Sequence, residues 1–259
     1  MFATDTLAGR TALITGGATG IGLEIARRYA ACGARVVLVS RNLERLEAAA
    51  AKLRSEGAEA IALCADVRNY EEVRAAVEAT VARFGSLDVL VNNAAGNFYC
   101  PTAKLTPNGW RTVVDIDLNG TFHGCHAAYE HLKASRFGGC VLSIITMHAV
   151  TGWPGAAHAS AAKAGILALS RTLAVEWGGD GIRVNTISPG PIADTEGVRR
   201  LYEETGRADL ERRRVALGRF GEKGDVSSAA VFLASGLAGF ITGENLIVDG
   251  GRWLKYVAN

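Results

Sequence analysis

The sequence of 259 residues predicts a doubly wound α/β fold, in which one parallel β-sheet of about seven strands carries helices on both faces within a single domain. Three observations lead to this prediction. Short β-branched or apolar runs alternate with longer helical patterns, glycine, proline or charged residues separate them, and the first strand-like run leads into a glycine-rich turn. Ligands are therefore expected beyond the carboxyl ends of the strands.

The predicted elements follow one another regularly along the chain. The strands are expected at residues 11–15, 35–39, 58–64, 87–92, 139–146, 182–187 and 244–248. The helices are expected at residues 20–32, 43–56, 71–84, 107–136, 155–177 and 225–234. The residues that directly follow each strand are the first candidates for a binding site.

The turn after the first strand, residues 15–22, reads Thr-Gly-Gly-Ala-Thr-Gly-Ile-Gly. Gly16 allows a tight turn, Gly20 lets backbone N–H groups approach a pyrophosphate, and Gly22 lets the helix pack closely against the strand. The first free amides of that helix then meet the anion. A second strand-like run at residues 35–40 follows at the distance expected for one βαβ unit, which predicts a dinucleotide site.

The next strand ends indicate which dinucleotide is bound. Ser40 and Arg41 stand where an NAD site usually places a carboxylate on the ribose hydroxyls. An arginine instead suits the 2′-phosphate of NADP, although Arg41 could also be an ordinary surface side chain. Asp66 and Val67, after the third strand, are placed to hold the adenine edge, and the small-residue turn at residues 93–96 provides a surface on which a cofactor could lie.

Composition excludes several other classes of protein. The net charge of +2 gives no general attraction to nucleic acid or to an anionic membrane. No apolar segment is long enough to span a bilayer, and residues 1–10 lack the pattern of a signal peptide, so a soluble cytoplasmic protein is expected. The five cysteines are scattered, with no pair at metal-ligand or redox-motif spacing. We expect no metal site and reduced, mostly buried cysteines.

Taken together, the motifs resemble the short-chain dehydrogenase/reductase superfamily over essentially the whole chain. The residues that carry this resemblance are 15–22, Asp66, 93–96, Lys163 and the Pro-Gly-Pro-Ile run at 189–192. The resemblance implies a Rossmann-type single domain, NAD(P) chemistry and a homotetramer. It also implies a catalytic set of Ser, Tyr and Lys, with an Asn on the fourth helix.

The sequence departs from this set in an informative way. Ala159 stands where the family has its tyrosine, four residues before Lys163 and on the same helix face. Thr146 replaces the serine, and Asp117 replaces the asparagine. Hydride addition to a carbonyl creates an alkoxide that an acid must protonate, which an alanine cannot do. Reduction of a conjugated double bond moves charge onto a thioester oxygen instead, and this requires an oxyanion hole rather than a phenol.

Within the superfamily, the sequence is most similar to the 2,4-dienoyl-CoA reductases of the peroxisomal-type branch. The similarity lies in Ala-Ala-Gly-Asn-Phe at 94–98, in 115–117, in 158–163, and in the later runs 173–178, 189–192, 195–201 and 249–253. It implies NADPH-dependent reduction of a conjugated C=C in a dienoyl-CoA thioester, an auxiliary step of fatty acid β-oxidation. Residues 257–259 do not form a peroxisomal address, which favours a bacterial-style or other cytosolic relative.

The resemblance, with the predicted geometry, gives each residue a role. Lys163 would bind the nicotinamide ribose and add positive charge near the developing enolate, and Asn97 and Thr146 would donate hydrogen bonds to the thioester oxygen. Asp117 would hold a water that delivers the proton to carbon, or else pair locally. The expected cofactor-binding residues are Gly16, Thr19, Gly20, Ile21, Gly22, Ser40, Arg41, Asp66, Val67, Asn93, Ala94, Ala95, Gly96, Lys163, Pro189, Gly190 and Ile192.

The substrate side is predicted from charge, because the phosphates of a CoA ester call for arginines. The expected substrate residues are Arg68, Phe98, His148 and Arg200. Trp153 could also line an acyl channel. Residues 193–218 are expected to form a mobile lid, whereas the arginine run at 212–214 is expected to lie on a solvated helix face.

Two other functions remain open at this point. One is a carbonyl reductase, acting on a 3-oxoacyl or similar substrate, whose acid has moved to His148 or His158. The other is a non-catalytic NADP-binding regulatory protein. The presence of Lys163 and of the arginines at the expected substrate mouth disfavours this second alternative.

Overall fold

A seven-stranded parallel sheet forms the centre of the computed structural model, which describes residues 2–254. The strand order is β3-β2-β1-β4-β5-β6-β7, and every neighbouring pair is parallel. The strands are β1 Thr11–Thr15, β2 Arg35–Ser40, β3 Ala60–Cys64, β4 Val89–Asn92, β5 Cys140–Ile144, β6 Arg183–Pro189 and β7 Asn245–Val248. The predicted fold class is confirmed, and the strand order reverses between β1 and β4, where a ligand crevice is expected.

Ten α-helices connect and flank the strands in the described residues. They are α1 Gly20–Ala31, α2 Leu43–Ser55, α3 Tyr70–Phe84, α4 Pro107–Val114, α5 Gly120–Lys133, α6 His148–Thr151, α7 Ala157–Trp177, α8 Glu196–Val198, α9 Ala208–Arg214 and α10 Lys223–Ala234. Short π-helical segments lie at Asp115–Asn119 and Arg199–Glu203, and 3₁₀ turns lie at Thr102–Lys104, Gly178–Asp180 and Gly236–Ala238. Among residues 2–254, no helix combines the length and apolarity needed to cross a membrane.

The strands are apolar on both faces because helices cover both sides of the sheet. Ile14 of β1 belongs to one buried cluster, which also contains residues of α1, α2 and α10. Its neighbour Leu13 faces the opposite cluster, with residues of α3, α5 and α7. The alternation of side chains along β1 therefore packs both helix layers against this strand, directly below the glycine-rich turn.

The structure differs from the predicted elements most clearly in two helices and in the segment expected as a lid. The helix expected at 107–136 consists of α4, the π-helical segment and α5, and it ends earlier, where the Ser135 hydroxyl donates to Asp88 at 2.5 Å. The helix expected from residue 155 begins at Ala157, because Gly155 has a φ of +80°. The segment at 193–218, expected as a lid, contains α8, a π-helical segment and α9. Residues 257–259, on which the expected location partly rested, lie outside the described residues.

Candidate active site

The glycine-rich turn after β1 is locked against the turn that follows β4. The Asn93 side-chain amide donates to the carbonyls of Thr15 at 3.1 Å and Gly16 at 3.2 Å. A Cβ on Gly22 would lie 2.4 Å from the Asn93 amide nitrogen and 2.5 Å from the Gly16 carbonyl oxygen. Glycine is therefore required at position 22 because the helix start lies against these two turns. The sequence had predicted only that the helix packs closely against the strand.

The N-terminus of α1 offers free backbone donors beyond the end of β1. Thr19 precedes the helix in an extended conformation, and its side chain makes no capping hydrogen bond. Gly20 has a φ of +60°, and a Cβ built on it meets nothing within 4 Å. Because the first amides of a helix lack intrahelical acceptors, this cradle fits the pyrophosphate of a dinucleotide.

Two arginines near the carboxyl ends of β2 and β3 lie in different environments. Within residues 2–254, the exposed Arg41 guanidinium makes no hydrogen bond or ion pair with another residue. The Arg68 guanidinium instead donates hydrogen bonds to the Asp66 carboxylate, with Nη2 2.5 Å from Oδ2. This hydrogen bonding holds the pKa of Asp66 below its usual value. Asp66 therefore holds Arg68 at the end of β3, and its expected contact with substrate phosphates stays a prediction.

A buried ion pair lies at the carboxyl end of β5. Lys163 Nζ is 3.2 Å from Asp117 Oδ2 and donates to the Ile144 carbonyl at 3.0 Å. The other carboxylate oxygen of Asp117 accepts the Gly96 N–H at 2.7 Å. The Asp117 side chain is 1% exposed and pairs locally with Lys163, which is one of the two roles expected for it. The carboxylate joins Lys163 to the turn at residues 93–96.

Ala159 lies one helical turn before Lys163 on α7, in a small apolar cluster with Val113. The adjacent His158 is completely buried, its Nδ1 accepts the Ala159 N–H at 2.7 Å, and burial lowers its pKa. Phe98 packs edge-on against the His158 ring at 4.4 Å. Phe98 therefore covers His158, and its expected contact with the substrate stays a prediction.

A cavity of about 440 Å³ opens between the end of β5, the end of β6 and the segment at 193–218. Expected site residues that line it are Ile21, Asn97, Thr146, His148, Pro189, Gly190 and Ile192. Thr146 Oγ1 accepts the His148 N–H at 3.2 Å, which leaves the hydroxyl hydrogen free to donate into the cavity. The structure thus brings the two expected oxyanion donors, Asn97 and Thr146, to one cavity.

Aromatic side chains form the outer wall of this cavity. His148 stacks on Trp153 with centroids 4.5 Å apart, and burial, together with the nearby charge of Arg252, lowers the pKa of His148 to about 4. Tyr202 also lines the cavity, and burial raises its pKa to about 12. Neither group is therefore suited to donate a proton as a general acid. His148 is neutral near pH 7, and Tyr202 holds its proton more tightly than a phenol in water does.

A second cavity of about 600 Å³ lies on the other side of Trp153 and Tyr202, which line both spaces. Arg200, Arg207 and Arg214 line this second cavity, which we call the arginine groove. Arg200 also pairs with Glu196 at 2.5 Å. The arginine run at 212–214 was expected on a solvated helix face. This prediction is wrong for Arg214, because its Nη1 lies 2.7 Å from Oε1 of the buried Glu211.

Among the wall residues that sequence reasoning did not identify as site residues are Tyr202, Glu211, Asp249 and Arg252. Asp249 lines the first cavity, and its carboxylate accepts the N–H groups of Gly251 at 2.8 Å and Trp253 at 2.9 Å. The position of Asp249 directly after β7 was the one available signal, because the other strand ends supply site residues. For Glu211 no signal was available, since it resembles any charged residue of a surface helix.

Comparison with known proteins agrees with this architecture. Residues 16–252 match a family model described as enoyl-(acyl carrier protein) reductase. The chain is 44% identical to a peroxisomal, (3E)-enoyl-CoA-producing 2,4-dienoyl-CoA reductase of Arabidopsis thaliana, over 98% of this chain and 88% of the relative. It is 41% identical to a probable (2E)-enoyl-CoA-producing 2,4-dienoyl-CoA reductase of Bacillus subtilis, over 95% and 97%. A gluconate 5-dehydrogenase from Burkholderia cenocepacia, solved with NADP and tartrate, matches with a TM-score of 0.92 and 34% identity, over 98% of this chain and 100% of that one.

Proposed function

The chain belongs to the short-chain dehydrogenase/reductase family, whose members use a nicotinamide cofactor, and we propose that it reduces the conjugated C=C of a 2,4-dienoyl-CoA thioester with NADPH. The product is an enoyl-CoA, as in the step that β-oxidation of polyunsaturated acyl chains requires. When bound, the cofactor supplies the hydride. The relatives in Arabidopsis thaliana and Bacillus subtilis that carry this name support the proposal.

The observation that carries the proposal is the methyl group at position 159. Ala159 stands on α7 one turn before Lys163, and it is 4% exposed. No acidic proton is therefore available at the point where a carbonyl reductase needs one. The neighbouring His158 is buried with a lowered pKa, and the phenol of Tyr202 has a raised one. The described residues that line the cavity therefore offer hydrogen-bond donors, but no acid suited to protonating an alkoxide.

The donors suit a thioester that accumulates negative charge. Asn97 and Thr146 line the same cavity, and the Thr146 hydroxyl is free to donate. Lys163, fixed by Asp117 and the Ile144 carbonyl, adds a buried positive charge at the carboxyl end of β5. Fixed donors and a fixed charge stabilise an enolate oxygen without reorganising during the reaction.

Cofactor and substrate phosphates have separate basic sites. Arg41 follows β2 and is free to pair with the 2′-phosphate of NADPH, which the NADP complex of the gluconate dehydrogenase neighbour also favours. The arginine groove would take phosphates of the CoA moiety through Arg200 and Arg207. In this proposal residues 193–218 form the lid over the substrate, and the family expectation is a homotetramer.

Steady-state oxidation of NADPH tests the proposal directly. We expect turnover with a 2,4-dienoyl-CoA, and no activity above background with a 3-oxoacyl-CoA or without substrate. Brisk reduction of the oxoacyl ester with no dienoyl turnover would instead identify a carbonyl reductase. NADPH binding with no turnover of either would identify a regulatory protein. Chromatography of the product then decides between the 2E and 3E double bonds named for the two relatives.

The variant Ala159→Tyr sharpens the same test. A phenol beside Lys163 restores the acid of a carbonyl reductase, so oxoacyl reduction is expected to appear while dienoyl reduction falls. Ala159→Ser is the matched control, because it adds a hydroxyl without an acidic proton of comparable reach. Equal oxoacyl activity in the two variants would contradict the role assigned to the missing phenol.

A further inference from the structure

Two segments distant in sequence meet at one buried carboxylate, and a third joins them through Arg252. Glu211 of α9 is 3% exposed, and its Oε2 accepts from Arg252 Nε at 3.0 Å. Its Oε1 accepts from Arg214 Nη1 at 2.7 Å. The Arg252 guanidinium carbon lies 5.4 Å from the ring centroid of Trp153, which stacks on His148. A chain of contacts thus runs from the segment at 193–218, through the C-terminal segment, to the loop after β5.

This chain of contacts ends on the partition between the two cavities. Trp153 and Tyr202 line both the 440 Å³ cavity and the arginine groove, so their rings separate the two spaces. Glu211 lines the groove, whereas Arg252 lines the cavity on the other side. The ion pair between them therefore crosses the partition, and its geometry determines where Arg252 stands against the indole.

The Glu211 site differs from the other ion pairs of this segment. Asp209, on the same helix, pairs with Arg212 at 2.5 Å, but its side chain is 83% exposed. Exposed pairs contribute little, whereas removing one partner of a buried pair leaves uncompensated charge. Loss of the Glu211 carboxylate would leave Arg252 and Arg214 without their shared acceptor, and the freed Arg252 would be drawn from the indole towards solvent.

We propose that Glu211 is a positioning residue for the reduction: through Arg252 it fixes Trp153, and so sets the opening between the reaction cavity and the arginine groove. The proposal rests on the dienoyl-CoA function. The pantetheine arm of the CoA ester passes this opening, with the acyl chain and its thioester in the cavity and the phosphates in the groove. Glu211 therefore governs capture of the CoA ester, whereas the residues that stabilise charge on the thioester oxygen stay in place.

The kinetic test compares Glu211→Gln with Asp209→Asn, which removes an exposed carboxylate from the same helix. Glu211→Gln is expected to raise KM for the dienoyl-CoA about tenfold, with kcat changed less than about threefold and NADPH affinity unchanged. Asp209→Asn is expected to leave all three constants within about twofold. A KM for Glu211→Gln that matches Asp209→Asn would overturn the proposal, and so would a parallel loss of kcat and NADPH affinity, which indicates general loosening.

Fluorescence of the substrate-free protein gives a readout that needs no turnover. Glu211→Gln is expected to shift the tryptophan emission, and the shift is expected to vanish when Trp153→Phe is introduced into both proteins. Arg252→Leu should produce the same shift, and combining it with Glu211→Gln should add nothing. A shift that survives Trp153→Phe, or additive effects of the two variants, would refute the proposed coupling. If the unaltered protein does not reduce dienoyl-CoA, the proposed function fails, while these spectra still test the coupling.

Discussion

The two walls of the cavity are held by different means. The wall at the ends of β1 and β4 is built from backbone groups in close contact, as where the Asn93 amide bridges two carbonyls and Gly22 touches the same turn. The wall formed by residues 193–254 is held by charged side chains, above all the buried Glu211 with its two arginines. We infer that added atoms disrupt the first wall, whereas changes of charge and pH disrupt the second.

The buried Lys163–Asp117 pair is the strongest challenge to this contrast, because it places charge behind the backbone wall. Lys163→Met leaves the Asp117 carboxylate buried with only the Gly96 N–H, so we expect the free energy of unfolding to fall by about 4 kcal/mol. Urea denaturation measures this loss. The double variant Lys163→Met/Asp117→Asn, which keeps an acceptor for Gly96, should recover part of it. A double variant less stable than Lys163→Met would show that the pair is not electrostatically coupled.

The backbone wall is tested by two glycines of the same turn. Gly22→Ala places a Cβ 2.4 Å from the Asn93 amide nitrogen, so it is expected to lower stability by about 3 kcal/mol and to abolish measurable NADPH binding. Gly20→Ala has open space but a φ of +60°, and strain alone is expected to cost about 1 kcal/mol. Both effects are measurable by denaturation and by cofactor titration. Equal losses in the two variants would contradict the contact assigned to Gly22.

The same contrast explains how much the sequence could predict. Strand ends and the glycine-rich turn depend on local patterns, and so the parallel sheet and the clustering of Asn97, Thr146 and His148 around one cavity were predictable. The Glu211–Arg252 pair joins residues 41 positions apart, and nothing in the local pattern selects either partner. Arg68 was assigned to the substrate, but Asp66, only two residues away, holds it.

The irregular part of the helix that carries Asp117 also lay beyond sequence reasoning. The segment Asp115–Asn119 is π-helical and joins α4 to α5, although its sequence continues a helical pattern. It presents the Asp117 carboxylate to both Gly96 and Lys163. Such a local change of helix type depends on tertiary contacts, and it is often found at functional sites.

The contact of the second wall with the loop after β5 is tested by pH through His148, which stacks on Trp153 beneath Arg252. Its pKa is about 4 in the folded protein against an ordinary value of 6.5, so the unfolded chain binds the proton first as pH falls. The stability that neutral His148 contributes is complete above pH 6.5 and is lost as the pH falls from 6.5 through 4, by about 3 kcal/mol. His148→Gln should remove this part of the acid destabilisation, whereas His126→Gln, which replaces an exposed histidine of α5, should retain it. Identical pH profiles for both variants would contradict the burial of His148.

A modest effect on cofactor binding is expected of Arg41, an exposed charge at the edge of the backbone wall. Arg41→Gln removes the proposed partner of the 2′-phosphate, so NADPH affinity is expected to fall about tenfold, or about 1.4 kcal/mol, with NADH affinity unchanged. Arg68→Gln is the control, because Asp66 already engages that guanidinium. Isothermal titration at low and high salt should show the Arg41 contribution shrinking with ionic strength, since the site is exposed. A larger loss of NADPH affinity in Arg68→Gln than in Arg41→Gln would mean that NADPH draws Arg68 away from Asp66. The choice of cofactor at this wall would then depend on a side-chain charge that the substrate-free structure shows already paired.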